Sequence, residues 1–213
     1  MEVKLILFGI GVLPENLITK KAQEILQSTN YIFCPKTESG SIAYDIVKKY
    51  TNEKIEFLEI SMKERKKVDI SKIVEQLKEE KDVAFVTIGD PNLYSTYIYI
   101  AREVEKIGFK TQTIPAVNSI SYAASKLNIP ISIKNEGVAI VPGTNLELLK
   151  KASKIFDNIV ILKPKNLEKI KDVLVDFNTF VAEKLGTLEE KTYNFLPEKL
   201  PYMSIIMAKR REK

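Results

Sequence analysis

The stretch VAFVTIGDPNLYST, residues 83–96, runs from a hydrophobic segment into a turn that a strand cannot pass through. Its first six residues, Val83–Ile88, are β-branched, aromatic or small, which is typical of a buried strand. Pro91 fixes its own φ, favours an extended Asp90 and lacks an N–H, so the strand must end near Gly89. In open parallel sheets, ligands bind outside the carboxyl ends of the strands. The turn is therefore a candidate ligand contact.

Strand-length apolar runs alternate with helical periodicity through the first half of the chain. The predicted strands are Val3–Phe8, Tyr31–Cys34, Ile55–Ile60, Val83–Ile88 and Lys110–Ile114, and the predicted helices are Glu15–Ser28, Ile42–Tyr50, Ile70–Glu80 and Tyr94–Ile107. Strands joined by such helices must be largely parallel. We therefore expect a first α/β domain, residues 1–114, with a mainly parallel sheet.

The second half changes character after Pro115. A helix at Ser119–Leu127, a strand at Val138–Val141, a helix near Leu146–Ala152, a strand at Asn158–Leu162 and a helix from Leu167 to about Val175 come first. Short strands with tight connections follow at Thr179–Glu183, Lys191–Phe195 and Met203–Met207, which predicts antiparallel pairing. We expect a second α/β domain, residues 115–213, with a mixed, partly antiparallel sheet, packed closely on the first.

The amino-acid composition limits which catalytic side chains, disulfides and metal sites are possible. The 213 residues contain no histidine and a single cysteine, Cys34, so an internal disulfide is impossible and a zinc site is not expected. Acid–base catalysis would have to use carboxylates, Tyr, Lys or backbone groups, which favours reactions that need positioning more than proton transfer. We expect a cytoplasmic protein, because the apolar start is typical of a strand and no run approaches the roughly 20 residues that cross a bilayer.

Glycines mark the end of the first predicted strand. Gly9 and Gly11 let a ligand or another loop approach the backbone closely. A dinucleotide fingerprint is not met, because its third glycine would fall at Pro14, and the Lys-Ser/Thr of a P-loop is absent. Gly11 is a candidate substrate contact.

Two hydroxyls follow the Gly-Asp-Pro turn. Ser95 and Thr96 lie beside Tyr94 at the start of a predicted helix, an arrangement that suits a small-molecule site. The structural alternative is that Asp90 caps the helix with help from Ser95 and Thr96. A similar pattern occurs where Asn118 and Ser119 begin the next helix, with free N–H groups that could meet anionic oxygens.

The formal net charge of +5 suits an anionic partner, although a solvated, charge-rich surface is the simpler interpretation. A basic run contributes Lys63, Arg65, Lys66 and Lys67, which could hold a polyanion or form a solvated loop. No pattern typical of nucleic-acid recognition is present.

Six motifs, in order, resemble the tetrapyrrole methylases, the class III S-adenosylmethionine-dependent methyltransferases. They are the glycine-ended first strand with Leu17-Ile18-Thr19, the Gly89-Asp90-Pro91 turn, the segment Ile114–Ser119, Leu162-Lys163-Pro164, Glu183–Thr187, and the closing Pro201-Tyr202-Met203-Ser204. The first loop departs from the family's usual Gly-x-Gly-Pro-Gly-Asp, because Val12 and Leu13 stand where Pro and Gly are common. Within the family, the continuation from Asp90 to Thr96 looks most like the enzymes that methylate carbon 20 of precorrin-2 or of its cobalt form, cobalt-factor II.

The resemblance implies a site, a methyl donor and a substrate. The donor, S-adenosylmethionine, would bind in a cleft between the two lobes, and the product would be S-adenosylhomocysteine. Its contacts would come from Ile88, Gly89, Asp90, Leu93, Ser95, Thr96, Asn118, Ser119, Leu162, Gly186, Thr187 and Leu188. The substrate would be an anionic tetrapyrrole, steered by Lys63, Arg65, Lys66 and Lys67, with Asp90 or Tyr94 as the proton acceptor and no metal ligand from the protein. A homodimer is implied, and neither nucleic acid nor membrane is an expected partner.

Two alternatives stay open at this point. One is another member of the family, acting on a different corrin carbon or, as diphthine synthase does, on a protein. The other is a non-catalytic α/β module that binds nucleotides or nucleic acid.

Overall fold

A computed structural model describes residues 6–12, 17–36, 41–60, 68–79 and 81–211. The chain divides into two compact units, Met1–Asn118 and Ser119–Lys213. The boundary expected between residues 114 and 115 stays a prediction.

The first unit contains a parallel sheet with helices on both faces. Its elements in the described residues are β1 (Ile6–Val12), α1 (Lys20–Ser28), β2 (Tyr31–Lys36), α2 (Ile42–Val47), β3 (Lys54–Glu59), α3 (Ser71–Lys78), β4 (Val83–Ile88), α4 (Tyr97–Lys106) and β5 (Lys110–Ile114). The strand order is β3-β2-β4-β1-β5, and each neighbouring pair is parallel. Apolar faces of α1 and α2 pack on one side of this sheet, and those of α3 and α4 pack on the other. The central position of β4 brings the Gly-Asp-Pro turn to the middle of the carboxyl edge.

The second unit contains the mixed sheet. Its elements in the described residues are α5 (Ser119–Leu127), β6 (Val138–Pro142), α6 (Leu146–Ile155), β7 (Asn158–Leu162), α7 (Leu167–Val173), β8 (Phe177–Glu183), β9 (Lys191–Tyr193) and β10 (Ser204–Arg210). The order is β6-β7-β10-β8-β9, with β6 parallel to β7 and the other neighbours antiparallel. Two sheets of the expected kinds are therefore confirmed.

Several predicted boundaries were wrong for local reasons. The first strand does not end at Phe8 but continues through Gly9 and Gly11 to Val12. The first helix begins at Lys20, because the Thr19 side chain accepts a hydrogen bond from the Ala22 N–H and caps the helix there. The glycines therefore lie inside a strand and not in a loop.

Gly9 is needed for packing between α4 and the sheet. A Cβ atom at Gly9 would lie 2.3 Å from the ring of Tyr97, the buried first residue of α4. The Tyr97 hydroxyl donates to the carbonyl of Gln112 in β5, 3.3 Å away. The close approach expected at this glycine is to the chain's own helix.

Candidate active site

The β4 turn, residues 89–96, begins directly at the carboxyl end of β4. Gly89 has a φ of 76°, a conformation that glycine adopts without steric cost. Its N–H donates to the carbonyl of Val12 at 2.9 Å, which joins the ends of β4 and β1. Pro91 is buried and ends the ladder, as the sequence predicts.

Gly11 lies where the ends of three strands meet. A Cβ atom there would be 2.3 Å from the Gly89 oxygen, 2.5 Å from the Ala116 Cβ and 2.8 Å from the Pro91 Cδ. Backbone and ring atoms cannot rotate away, so only glycine fits without a shift of the turn. The close approach expected at Gly11 is therefore to two other loops of this unit, and a substrate contact by Gly11 stays a prediction.

The Asp90 carboxylate connects the loops that follow β4 and β5. One oxygen, Oδ2, accepts a hydrogen bond from the Ala116 N–H at 3.2 Å. The other, Oδ1, accepts from the Asn92 N–H at 2.7 Å and from the Asn92 side-chain amide at 3.0 Å. These contacts make Asp90 an organiser of the turn, and its role as a proton acceptor stays a prediction.

The end of the turn differs from the sequence expectation. The helix begins at Tyr97 and not at Tyr94, which has a φ of 50° and a side chain that is 48% exposed. Ser95 Oγ accepts from the Tyr97 N–H and donates to Thr87 Oγ1, both at 3.2 Å, whereas the Thr96 side chain makes no capping hydrogen bond. Ser95 therefore ties the first turn of α4 to β4, and Asp90 is not its cap.

Four other predicted donor contacts are partly exposed. Ile88 and Leu93 are half-buried apolar residues, and Asn118 and Ser119 are half-buried polar residues. Ser119 begins α5, whose first N–H groups lack acceptors within the helix and carry partial positive charge.

The end of β7 in the second unit repeats the packing seen at Gly11. The Gly143 N–H donates to the carbonyl of Leu162 at 2.7 Å, and a Cβ at Gly143 would lie 2.5 Å from the Pro164 Cα. Lys163 between them has a φ of 54°. The ends of β6 and β7 are thus held together beside Leu162, a predicted donor contact.

The β8 turn, residues 184–190, carries the other predicted contacts of the second unit. The Lys184 N–H donates to Met203 O at 2.7 Å, and Thr187 Oγ1 donates to Lys184 O at 2.8 Å. Gly186 has a φ of 75°, and the Leu188 side chain is fully exposed. The turn is closed at its base and presents an apolar side chain at its tip.

Sequence reasoning missed Glu190, which holds this turn. Glu190 Oε2 accepts from the Gly186 N–H at 2.6 Å, and Oε1 lies 2.8 Å from Lys126 Nζ. Burial raises the pKa of Glu190, but hydrogen bonds from Gly186, Lys126 and Tyr122 outweigh it and hold the pKa below its usual value. The only sequence signal was an acid four residues after a glycine, which has no specificity.

The predicted basic contacts belong to a segment outside the described part of the chain. Lys63, Arg65, Lys66 and Lys67 lie outside the described residues, so their role stays a prediction. In the part of the chain that the structure describes, no three His, Cys, Asp or Glu side chains are grouped to hold a metal ion. Within the same ranges, every helix is too short or too polar to cross a bilayer.

The fold and its strand-end turns define an α/β protein with a parallel sheet in one unit and a mixed sheet in the other. Residues 4–200 match the family model of the tetrapyrrole (corrin/porphyrin) methylases, and the chain belongs to this family.

Similarity extends over nearly the whole chain. A probable cobalt-precorrin-2 C(20)-methyltransferase from Methanocaldococcus jannaschii is 37% identical, with 95% of this chain and 94% of the relative aligned. A diphthine synthase from Sulfurisphaera tokodaii is 30% identical, but the alignment covers 56% of this chain and 46% of that protein. Among solved structures, a cobalt precorrin-4 methyltransferase superposes with a TM-score of 0.79 at 18% identity, covering 96% of this chain and 94% of the other, which supports the fold alone.

Proposed function

We propose that this chain is an S-adenosylmethionine-dependent C-methyltransferase of corrin biosynthesis that methylates carbon 20 of cobalt-precorrin-2 or its metal-free counterpart. The observation that carries this proposal is the 37% identity over 95% of the chain to a probable cobalt-precorrin-2 C(20)-methyltransferase. The alignment with diphthine synthase is shorter, covering 56% of the chain, which makes a protein substrate the weaker candidate.

The last residue of β4 and the β4 turn suit a nucleoside-bearing donor. Ile88 and Leu93 offer partly exposed apolar surface, which a purine base can cover, next to the polar backbone of Gly89 and Asp90. The turn is held by Asp90 and by the close packing at Gly11, so its backbone groups are positioned before a ligand arrives. Donor contacts at Ser95, Thr96, Asn118, Ser119, Leu162 and residues 186–188 belong to the same proposal.

The methyl group of S-adenosylmethionine is already activated by its sulfonium sulfur, so alignment is the main requirement for transfer. Positioning by rigid turns meets this requirement in a chain that has no histidine. The proton lost from the methylated carbon needs an acceptor, for which the chain offers Tyr94 and Asp90. Tyr94 is 48% exposed, and the Asp90 carboxylate accepts three N–H hydrogen bonds.

The same proposal includes an anionic tetrapyrrole steered by the basic run at residues 63–67, a homodimer and a cytoplasmic location. The net charge of +5 supports the first of these, because a tetrapyrrole with several carboxylates is attracted to a positive surface.

A methyl-transfer assay tests the function directly. The purified chain is incubated with S-adenosylmethionine carrying a ¹³C-methyl group and with cobalt-precorrin-2, and the product is examined by NMR and mass spectrometry. We expect one labelled methyl group on carbon 20. A label at another ring carbon would make the chain a different corrin methyltransferase, and transfer only to a translation factor would favour diphthine synthase. A chain that binds nucleotides but not S-adenosylhomocysteine would overturn the enzymatic reading.

A further inference from the structure

We propose that Glu190 is a positioning residue for the methyl donor: its carboxylate holds the Gly186–Leu188 segment and ties it to α5, the helix that begins at Ser119. This inference rests on the proposed function, because it assigns both segments to the donor site.

The two carboxylate oxygens of Glu190 divide their contacts. Oε2 accepts hydrogen bonds from the Gly186 N–H at 2.6 Å and from the Tyr122 hydroxyl at 3.3 Å. Oε1 forms an ion pair with Lys126 Nζ at 2.8 Å. One side chain therefore contacts the backbone of the β8 turn and two side chains of α5.

The α5 partners are placed by helical periodicity. Tyr122 and Lys126 are four residues apart and thus share one face of the helix. Lys126 Nζ lies 5.3 Å from the centre of the Tyr122 ring, so the two groups also contact each other. This arrangement presents a hydroxyl donor and a cation together to Glu190.

The middle of the β8 turn needs such a contact. Gly186 has a φ of 75°, and glycine loses more conformational freedom on ordering than any other residue. Other contacts join Lys184 to Met203 and Thr187 to Lys184 at the base of the turn, and the Glu189 and Glu190 N–H groups donate to Thr187, but Glu190 is the residue whose side chain accepts from the Gly186 N–H. Glu190 holds the peptide N–H one residue before Thr187, where the donor contacts are proposed.

The electrostatic environment of Glu190 strengthens its contacts with Gly186, Tyr122 and Lys126. The Glu190 side chain is 18% exposed, so water competes weakly for its oxygens. Its lowered pKa keeps the carboxylate ionised at neutral pH, and hydrogen bonds to a charged acceptor are stronger than those between neutral groups. The β8 turn is therefore linked to the middle and the last turn of α5, at Tyr122 and Lys126, through one charged group.

The test compares three variants with the parent. Glu190→Ala removes every contact, whereas Glu190→Gln keeps an oxygen that can accept from the Gly186 N–H. Glu136→Ala is the matched control in the same unit, because Glu136 Oε2 accepts from the Ile133 N–H and the Asn158 amide and lies 3.7 Å from Lys209 Nζ. S-adenosylhomocysteine binding is measured by calorimetry, and exchange of the Gly186 amide hydrogen is measured by NMR without ligand.

We expect Glu190→Ala to weaken S-adenosylhomocysteine binding about tenfold or more, as loss of a hydrogen bond to a charged group implies. Glu190→Gln should stay within about threefold and Glu136→Ala within about twofold of the parent. Gly186 exchange should be faster in Glu190→Ala than in Glu190→Gln.

Failure of the proposed function and failure of the Glu190 inference would give different results. A parent that does not bind S-adenosylhomocysteine overturns the proposed function and this inference with it. A parent that binds, with Glu190→Ala binding equally well or losing no more than Glu136→Ala, overturns the inference alone.

Discussion

At the scale of single residues, the Asp90 carboxylate and the glycine at position 11 hold the β4 turn of the first unit in place. Asp90 joins the turn to the loop after β5 through the Ala116 N–H, and Gly11 lets three strand ends come together. Neither residue needs to touch a ligand to matter for binding, because both determine where the backbone of residues 88–93 lies.

Replacing Asp90 by Ala should weaken S-adenosylhomocysteine binding about tenfold, because the Ala116 and Asn92 donors lose a charged acceptor. Calorimetry measures this change. Asp82→Ala is the control, since Asp82 also accepts a backbone N–H, that of Ile6, but at the opposite end of the sheet. If both variants bind with parental affinity, the turn does not depend on Asp90.

Replacing Gly11 by Ala should lower the free energy of unfolding by about 1–3 kcal/mol, the usual cost of overpacking. The added Cβ would meet the Gly89 oxygen at 2.3 Å, a backbone atom with no rotamer to change. Urea denaturation measures the difference. Gly137→Ala should cost less, because its Cβ would meet the Phe156 ring at 3.1 Å, and a ring can shift. Equal midpoints for the two variants would contradict the steric argument.

At the scale of elements, the sequence predicted the bounds of several strands and one helix correctly but placed two helix starts too early. The segments Val83–Ile88, Lys110–Ile114, Ser119–Leu127 and Asn158–Leu162 have the predicted bounds. The starts of α1 and α4 were predicted too early, because the Thr19 cap and the hydrogen bond from the Tyr97 N–H to Ser95 decide them, and apolar periodicity continues past such contacts. The predicted helix start at Tyr94 was wrong, because a residue with a φ of 50° cannot belong to a right-handed helix.

The two hydroxyls beside Tyr94 should therefore differ in their effect on stability. Ser95→Ala should cost about 0.5–2 kcal/mol, because the Tyr97 N–H and the Thr87 hydroxyl lose a partner. Thr96→Ala should change the free energy of unfolding by about 0.5 kcal/mol or less, since its side chain makes no capping hydrogen bond. Thermal or urea unfolding of the two variants checks the order, and a larger loss for Thr96→Ala would reverse it.

At the scale of the whole molecule, the charge balance concerns the substrate more than the fold. Thirty-three basic and 28 acidic side chains leave a net charge of +5, and most ion pairs within the described residues are exposed. Exposed pairs contribute little to stability, about 0–1 kcal/mol each. The excess of positive charge is thus available to attract an anion.

Salt should weaken the binding of the tetrapyrrole much more than the binding of S-adenosylhomocysteine. Raising the salt concentration from ~0.1 M to ~1 M shortens the screening length from about 10 Å to about 3 Å. We expect tetrapyrrole affinity to fall about tenfold or more and S-adenosylhomocysteine affinity to change less than about twofold. Parallel titrations at both concentrations measure this.

A variant with Lys63, Arg65, Lys66 and Lys67 changed to Gln should lose most of the salt dependence while retaining donor binding. The control changes four exposed lysines of α6 and α7 to Gln, namely Lys150, Lys151, Lys154 and Lys171. A control that loses the salt dependence equally would mean that net charge, and not the basic run, attracts the substrate.

The sequence by itself determined what depends on neighbouring residues: the alternation of strands and helices, the end of β4 at Gly-Asp-Pro, the two kinds of sheet, and the ordered motifs of the family. The tertiary structure alone decided the strand order β3-β2-β4-β1-β5, the approach of Gly89 and Ala116 to Gly11, and the contact of Glu190 with Gly186 and α5. The physical reason is that periodicity and turn chemistry act over a few residues. Contacts such as Asp90 with Ala116 form only after distant segments have packed, and they leave no pattern in the sequence.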